Sequence, residues 1–203
     1  QAKLLSKKLV ISHVSAGDLI RVEAAKKTEL GRKINSIISK GELLSDELTT
    51  RILEKRLRKR DARKGAILDG YPRTLRQAEL LEKLLARLKL PPASAAVNLK
   101  ISRVESIKRL SARRQCGKCG AIYSLLFDKI SESSQCPKCG GSLFKRSDDE
   151  PAVIQERLEV YENQTKPLLA YYSRKKILRE VNGEKPVEQV FKQVLQALGA
   201  LKK

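Results

Sequence analysis

The sequence predicts an α/β fold built on a parallel sheet, with a small cysteine-bearing module set into it. Three observations lead there. Short apolar runs alternate with helix-period segments along most of the chain. Neither an internal repeat nor a low-complexity linker interrupts the alternation. All the cysteines fall within residues 115–146, with alternating segments on both sides, so that module reads as inserted rather than appended. A chain of 203 residues suffices for one medium domain with a buried core.

The elements follow in order. Residues 1–9 have helical pattern, with Leu4, Leu5, Leu9 and Val10 apolar and Lys3, Lys7 and Lys8 polar, but no N-cap. "LVISHV" (9–14) reads as a short buried strand, and "SAGDLIR" (15–21) turns into a helix capped by Ser15 or Asp18. Helical patterns continue over 28–40, stopped by Gly41, and over 45–59. "GAILDGYPRT" (65–74) is an apolar strand ending in a Gly/Pro turn. The amphipathic helix "LRQAELLEKLLARL" follows and is stopped by Pro91 and Pro92. "AAVNLKI" (95–101) is a further strand, and "SRVESIKRLSARR" a helix opened by Ser102. Beyond the cysteines come a long helix, "PAVIQERLEVYENQTKPLLAYYSRK", a strand, "ILREV" (177–181), and a final amphipathic helix from Pro186. Ligands of such sheets bind beyond the carboxyl ends of the strands, where Asp69, Gly70, Tyr71, Pro72 and Arg73 sit.

Composition narrows the function classes. Hydrophobic residues make up 41% and charged residues 33%, and no apolar run approaches the ~20 residues of a membrane-spanning helix. Residues 1–203 hold no basic region followed by an apolar run and cleavage site, so nothing in them argues for secretion. The net charge of +20, from 43 basic and 23 acidic residues, attracts polyanions: nucleic acid, an anionic membrane or nucleotide phosphates. Aromatics are only 4%, so no platform for stacking bases is visible, and many lysines read as a solvated surface.

Cys116-x2-Cys119 and, after sixteen intervening residues, Cys136-x2-Cys139 have metal-ligand spacing. Four thiolates suit the tetrahedral, soft-ligand preference of zinc, and iron accepts the same set. Two disulfides are the competing reading; nothing in the sequence points to an oxidising compartment. With every position filled by cysteine, a metal here has no open site for a reacting water and is structural. Little apolar core accompanies it: Ile122, Tyr123, Leu125, Leu126, Phe127, Leu143 and Phe144. Such a ribbon could bind nucleic acid, or it could staple a flap whose flanking Arg109, Arg113, Arg114 and Arg146 face a phosphorylated substrate.

"HVSAGDLIR", "AILDGYPRTLRQAE", "RLSARRQCGKCGAIYS", "KRSDD" and "ERLEVYENQTKPLLAYY", in this order and spacing, resemble the adenylate kinases, in particular their long-lid bacterial form with a zinc-bearing lid. The resemblance implies a P-loop NTPase-like parallel core of five strands with two mobile additions. It divides the chain into core (1–14), AMP-binding segment (15–44), core (45–111), zinc-binding lid (112–149) and core (150–203). It further implies phosphoryl transfer from Mg-ATP to AMP, giving two ADP, by a cytoplasmic monomer with structural Zn2+ in the lid. No nucleic-acid or membrane partner is expected, despite the charge. On the AMP side the resemblance implies Gly17, Arg21, the Glu42, Leu43 and Leu44 backbone, Gly70, Tyr71, Pro72, Arg73 and Gln77, with Gln77 on the adenine. Arg109, Arg113, Ile122, Tyr123 and Lys185 are implied for ATP. Arg146 and Arg157, with Arg73 and Arg113, are implied to clamp the phosphates during transfer, and Asp69 to help hold hydrated Mg2+. Such a constellation suits a reaction that needs in-line positioning and positive charge rather than covalent help. Arginine grips phosphate bidentately and stays charged.

Other residues receive plainer assignments. Arg114 lies outside the matched positions and reads as a surface residue or ion-pair partner. Asp148 and Asp149 are expected to cap the helix near Pro151, or else to balance the arginines. His13 reads as packing, and Tyr161, Tyr171 and Tyr172 as core-edge residues. Two departures stand out. Ala16 occupies a position where the family commonly has threonine, and Tyr71 one where it has phenylalanine. The family's strand and G-x-x-G-x-G-K-G-T phosphate loop, which precede the helix beginning "QAKLL", are not found in residues 1–203, and no methionine is present. The sequence is therefore expected to be an N-terminally truncated one, inactive or nearly so as given, while the intact protein is expected to be an active phosphotransferase. The alternatives are a basic zinc-ribbon nucleic-acid-binding protein and a kinase of another nucleoside monophosphate.

Overall fold

Hydroxyl side chains start many of the helices. Ser15, Thr28, Ser45, Thr74 and Ser102 each accept a backbone N–H three residues on. Each such cap contributes about 1 kcal/mol. They open α2 (Ala16–Ala24), α3 (Glu29–Ile38), α4 (Asp46–Leu57), α5 (Leu75–Arg87) and α6 (Arg103–Ser111). The computed structural model describes residues 1–199; the last four positions of the expected core segment 150–203 lie outside the described residues.

Helix α1 (Ala2–Leu9) follows the helical pattern of residues 1–9, but the strand expected from residue 9 begins later. Val10 turns left-handed at φ 56, and the Ile11 amide closes on the Ser6 carbonyl at 3.2 Å, so strand β1 covers only Ser12–Ser15. A 3-10 turn, Arg60–Lys64, leads into β2 (Ala66–Asp69), and β3 (Ala96–Lys100) follows α5. Helix α5 stops before its prolines, at a left-handed Lys89. The segment expected to stay helical through Arg114 instead leaves the helix at Ala112. From there β4 (Arg113–Cys116), β5 (Ile122–Ser124) and β6 (Leu143–Phe144) form an antiparallel sheet in the order β5-β4-β6.

The long helix after the cysteines is three pieces: α7 (Pro151–Val160), a π turn over Tyr161–Thr165, and α8 (Pro167–Arg174). Pro167 supplies no N–H to the carbonyl four residues back, and its ring crowds that turn. The ladder widens there, and Lys166 bonds the Tyr161 carbonyl at 2.8 Å. Strand β7 (Leu178–Asn182) and α9 (Val187–Ala197) complete the described chain.

The expected parallel sheet takes the form of two parallel pairs, β1 with β2 and β3 with β7, in register Ser12↔Ala66 and Ala96↔Leu178. Among the described residues the pairs are not hydrogen-bonded to one another, but their side chains share a core. Ile67 of β2 and Leu99 of β3 pack against the cluster of Leu5, Val181, Val190, Val194 and Leu195. A second cluster, including Val14, Leu53, Leu57, Tyr71, Leu81 and Leu84, holds α4 and α5 against β1 and β2. Both parallel pairs thus present their carboxyl ends beside rigid, apolar-backed helices.

Candidate active site

A cleft of about 260 Å³ opens at the carboxyl ends of β1 and β2. One wall comes from the start of α2, the 41–44 loop, and the turn into α5: Gly17, Arg21, Glu42, Leu43, Leu44, Gly70, Arg73 and Gln77 line it. The other comes from the antiparallel sheet and its hinge, through Arg113, Ile122, Arg146, Asp148 and Arg157. Asp69 lies on the floor, together with His13 and Lys3. The 42–46 loop separates this cleft from a second pocket of about 390 Å³, bordered by Thr74, Glu156 and Gln164.

On the first wall, two glycines make room for guanidinium groups. A Cβ at Gly17 would meet the Arg21 side chain at 3.2 Å, and one at Gly70 would meet Arg73 Nη2 at 3.1 Å. Gly70 also has φ +71, which a side chain would strain. Arg73 Nε donates to the Gly70 carbonyl at 3.0 Å. Among the described residues, no carboxylate lies within 4.0 Å of its guanidinium. Burial, and after it the nearby Arg157, pulls the Arg73 pKa below its ordinary value. An arginine begins so high that it stays charged. The result is a half-buried cation that touches no carboxylate among the described residues, with Asp69 and Asp148 acting on it only from farther off.

Gln77 is 2% exposed, and its Oε1 accepts the Arg73 amide at 2.8 Å. That bond leaves the carboxamide NH2 as the group facing the cleft. Arg21, by contrast, rests on Asp18 at 2.5 Å near the surface. Tyr71 does not line the cleft: it is 4% exposed, and its hydroxyl is bonded to Thr50 Oγ1 at 2.7 Å and to the Gln77 carbonyl at 3.2 Å. Pro72 follows it through a cis peptide.

The second wall is neutralised internally. Arg113 forks onto Asp149, with Nε donating to Oδ2 at 2.7 Å. Arg157 donates to Asp149 Oδ1 at 3.2 Å and to the Asp148 carbonyl at 2.7 Å, and Arg146 forks onto Asp148, with Nε to Oδ1 at 2.7 Å. Asp149 is fully buried. Burial pushes the Asp148 carboxyl up, but Arg146, with Arg157 and Arg113 beyond it, outweighs that and holds it below its ordinary value. These aspartates do not cap α7, which corrects the capping expectation. Its N-cap is Glu150, with no side-chain cap bond, and Pro151 occupies the first turn, where a missing N–H leaves less to cap.

Arg109 stands apart from the cleft. Its Nη1 donates to the Gly183 carbonyl at 2.8 Å, its Nε to Glu105 at 2.6 Å, and its guanidinium lies 5.4 Å over the Phe127 ring. The exposed Lys185 follows that same 183–184 turn. Arg114 is an ion-pair partner, buried at 8% and forked onto Glu132, with Nε to Oε2 at 2.9 Å. His13, assigned to packing from sequence, lies 2.9 Å from Asp69 Oδ2 through its Nε2. The strand register gives the reason, which sequence alone does not show: Ser15 pairs with Asp69, two residues on from His13. Lys3 and Asp148 also reach the cleft unforeseen, Lys3 from the first turn of α1.

The four cysteines are unbonded thiols, and their Sγ atoms all lie within 4.8 Å of one another. Cys116 and Cys139 approach to 3.5 Å and Cys119 and Cys136 to 3.6 Å. A tetrahedral ion with metal–sulfur bonds near 2.3 Å sets its sulfurs roughly 3.8 Å apart, so the residues fit a four-thiolate ion. Tyr123 turns its hydroxyl to Cys136 Sγ at 3.3 Å rather than to the cleft. Burial opposes ionisation of Cys136, but that hydroxyl and the backbone N–H groups of Lys138 and Cys139 bring its thiol down to about 6. Cys116 ends the strand that Arg113 begins, so the thiolate cluster and the second wall share β4.

Comparison with known proteins agrees with this geometry. The family model described as "Adenylate kinase" matches residues 1–177. An adenylate kinase of Archaeoglobus fulgidus is 43% identical over 202 residues, covering 100% of this chain and 93% of that protein. One of Methanocella arvoryzae is 41% identical, over 99% of this chain and 93% of that protein. A third, of Thermodesulfovibrio yellowstonii, is 40% identical, over 98% and 92% respectively. With its cleft, its hinge arginines and its cysteine cluster in these places, the chain belongs to the adenylate kinase family.

Proposed function

We propose that this protein transfers a phosphoryl group reversibly from Mg-ATP to AMP, giving two ADP, and that the two walls of the cleft divide the work. The observation that carries this reading is Arg73, a half-buried guanidinium with no carboxylate within 4.0 Å among the described residues. A desolvated cation without a partner is costly and calls for an anion; a nucleotide phosphate satisfies it bidentately. Gln77 Nε2, freed toward the cleft by the Arg73 amide on Oε1, donates to an acceptor on the adenine ring.

Across the cleft, Arg113, Arg146 and Arg157 surround the transferring phosphoryl group once it displaces Asp148 and Asp149 as their partner. Their positive charge falls where the equatorial oxygens develop charge, and single arginines in such roles supply roughly 10³–10⁵ in rate. Mg2+ bound with ATP neutralises the β and γ oxygens. Asp69 suits a hydrated ion, being a half-exposed carboxylate on the cleft floor, fixed by His13 at 2.9 Å. Arg109 and Lys185, grouped about the 183–184 turn, serve the ATP base, with Ile122 on the cleft side of the lid.

Residues 15–44 act as the AMP segment and 112–149 as the lid, with the remainder as core. In the lid, Cys116, Cys119, Cys136 and Cys139 hold Zn2+, which ties the hairpin together and performs no chemistry. The unbonded thiols suit a reducing compartment such as the cytoplasm. Among the described residues no helix is long and apolar enough to cross a membrane.

The test is ADP formation from Mg-ATP with AMP, UMP or CMP as acceptor, for the native protein and for Gln77→Ala. The reading expects AMP to be preferred and the preference to shrink in the variant by about tenfold, the worth of one base hydrogen bond. Equal use of the pyrimidine monophosphates by the native protein would favour another nucleoside monophosphate kinase and overturn the choice of AMP.

A further inference from the structure

A large part of the formal charge of +20 gathers on one face. Each parallel strand is entered from a helix end, through residues 7–11, 58–65, 87–95 and 174–177. Together these entries carry twelve basic side chains, all exposed, against the single carboxylate of Asp61. The registers Ser12↔Ala66 and Ala96↔Leu178 bring the amino ends of each pair side by side. The Lys175–Glu82 ion pair, at 2.7 Å, ties the end of α8 to the lower half of α5 and so joins the two sets of entries. The cleft lies at the opposite, carboxyl ends; α4, with 12 residues, spans about 18 Å from the cleft loop to this face.

Local needs account for only part of the charge. Arg58 and Arg87 share Glu54 at 2.6 Å each, and Lys175 has Glu82. The other nine have no carboxylate within 4.0 Å among the described residues; Lys8, Lys59, Arg60, Lys64, Lys89 and Lys176 are among them. Helix C-termini attract cations, but each presents only about half a negative charge, so four helix ends account for about two of the nine. A surplus of this size on one exposed surface costs self-repulsion unless a polyanion spreads over it.

The chemistry of the face selects among polyanions. Its four entry segments contain no aromatic residue on which unpaired bases could stack. Leu9 and Val10 are their only large exposed apolar side chains, too few to seat the face in a lipid surface. We infer that this face docks the phosphodiester backbone of a nucleic-acid duplex without reading its bases, on the side of the molecule away from the cleft. A duplex carries one charge per ~1.7 Å, so some 20 Å of it carries about twelve charges, enough to match the surplus. Composition had left the charge unlocated, and the family resemblance implied no nucleic-acid partner despite it; the fold gathers the charge.

The test is fluorescence anisotropy of a labelled duplex of about 24 base pairs with the whole protein, between about 50 and 200 mM salt. With about six phosphate contacts, affinity falls about 10³-fold over that range. Combined Lys59→Gln, Arg60→Gln, Arg63→Gln and Lys64→Gln flattens the salt slope by about 3 to 4 and weakens binding at least about tenfold at low salt. Lys7→Gln with Lys8→Gln gives a smaller loss of the same kind. AMP affinity, measured by calorimetry, is unchanged in both, and saturating AMP does not displace the duplex. Salt-independent binding, unaffected variants, displacement by AMP, or tighter binding to phosphatidylserine vesicles than to duplex would overturn the inference.

Discussion

Arg73 and Arg113 line the same cleft, yet their surroundings differ in kind. Arg113 lies against a fully buried aspartate that also holds Arg157, whereas Arg73 has only a carbonyl at 3.0 Å. The AMP wall stands on a packed apolar cluster that includes Tyr71, Leu81 and Leu84, so Arg73 and Gln77 hold their positions without ionic partners. The hinge wall is backed by a hairpin with little core, and is kept in shape by Asp148, Asp149 and the cysteine cluster. The difference teaches that one wall keeps a guanidinium open while the arginines of the other are already paired with aspartates; on the proposed function, the first is a standing receptor for an anion and the second is masked until a substrate competes for it.

The largest effect expected on this contrast comes from the thiolate cluster. Stripping the metal with a chelator, or Cys136→Ser, removes an interaction worth roughly 10–16 kcal/mol in small zinc modules. Limited proteolysis then cuts within 112–149, while AMP affinity by calorimetry stays within about threefold. Asp149→Asn is next. It leaves Arg113 and Arg157 facing a neutral group in a buried site, at a cost of about 3 kcal/mol in urea unfolding. Because the mask is removed and not the receptor, AMP binding does not weaken. Gly70→Ala acts on the other wall. The positive φ and the 3.1 Å approach to Arg73 cost about 1 kcal/mol of stability and lower AMP affinity about tenfold, with the lid's protease resistance unchanged.

The smallest effect is the dependence on pH. The folded pKa of Asp148 is depressed, so its ion pair contributes stability that is fully present above the unfolded carboxyl value of about 3.9. That contribution is lost as pH falls through the lower folded value. Unfolding midpoints measured down from about pH 5 are expected to show the hinge loosening first, by hydrogen exchange, before the cluster around Leu81 opens. Simultaneous loss of both regions would erase the contrast.

Much of this was legible in the chain because local chemistry decided it. Ser15 and Ser102 begin helices as their hydroxyls predicted, and "DGYPRT" leaves a strand where ligands bind. The cysteine spacing anticipated four sulfurs within 4.8 Å. What failed depended on partners distant in sequence. Leu9 and Val10 look like strand residues, but a left-handed turn at Val10 ends a helix there. Arg113 and Arg114 continue a helical pattern, yet pairing of Arg114 with Tyr123 draws them into a strand. Asp148 and Asp149 were open to two readings, a cap or a balance for the arginines; the capping one failed, and the fold brings Arg113, Arg146 and Arg157 to them as the other expected. His13 shows the same limit: its bond to Asp69 spans 56 residues.

The central claim, that the unpaired Arg73 is the anion receptor of the AMP wall, is tested most directly by calorimetry of AMP binding to three variants. Arg73→Ala is expected to lose about 3 kcal/mol, on the order of 100-fold in affinity. Arg73→Lys recovers part of it, since a point charge lacks the bidentate grip. Arg114→Ala, whose side chain is spent on Glu132, leaves AMP affinity unchanged. Native affinity in Arg73→Ala, or an equal loss in Arg114→Ala, would contradict the account.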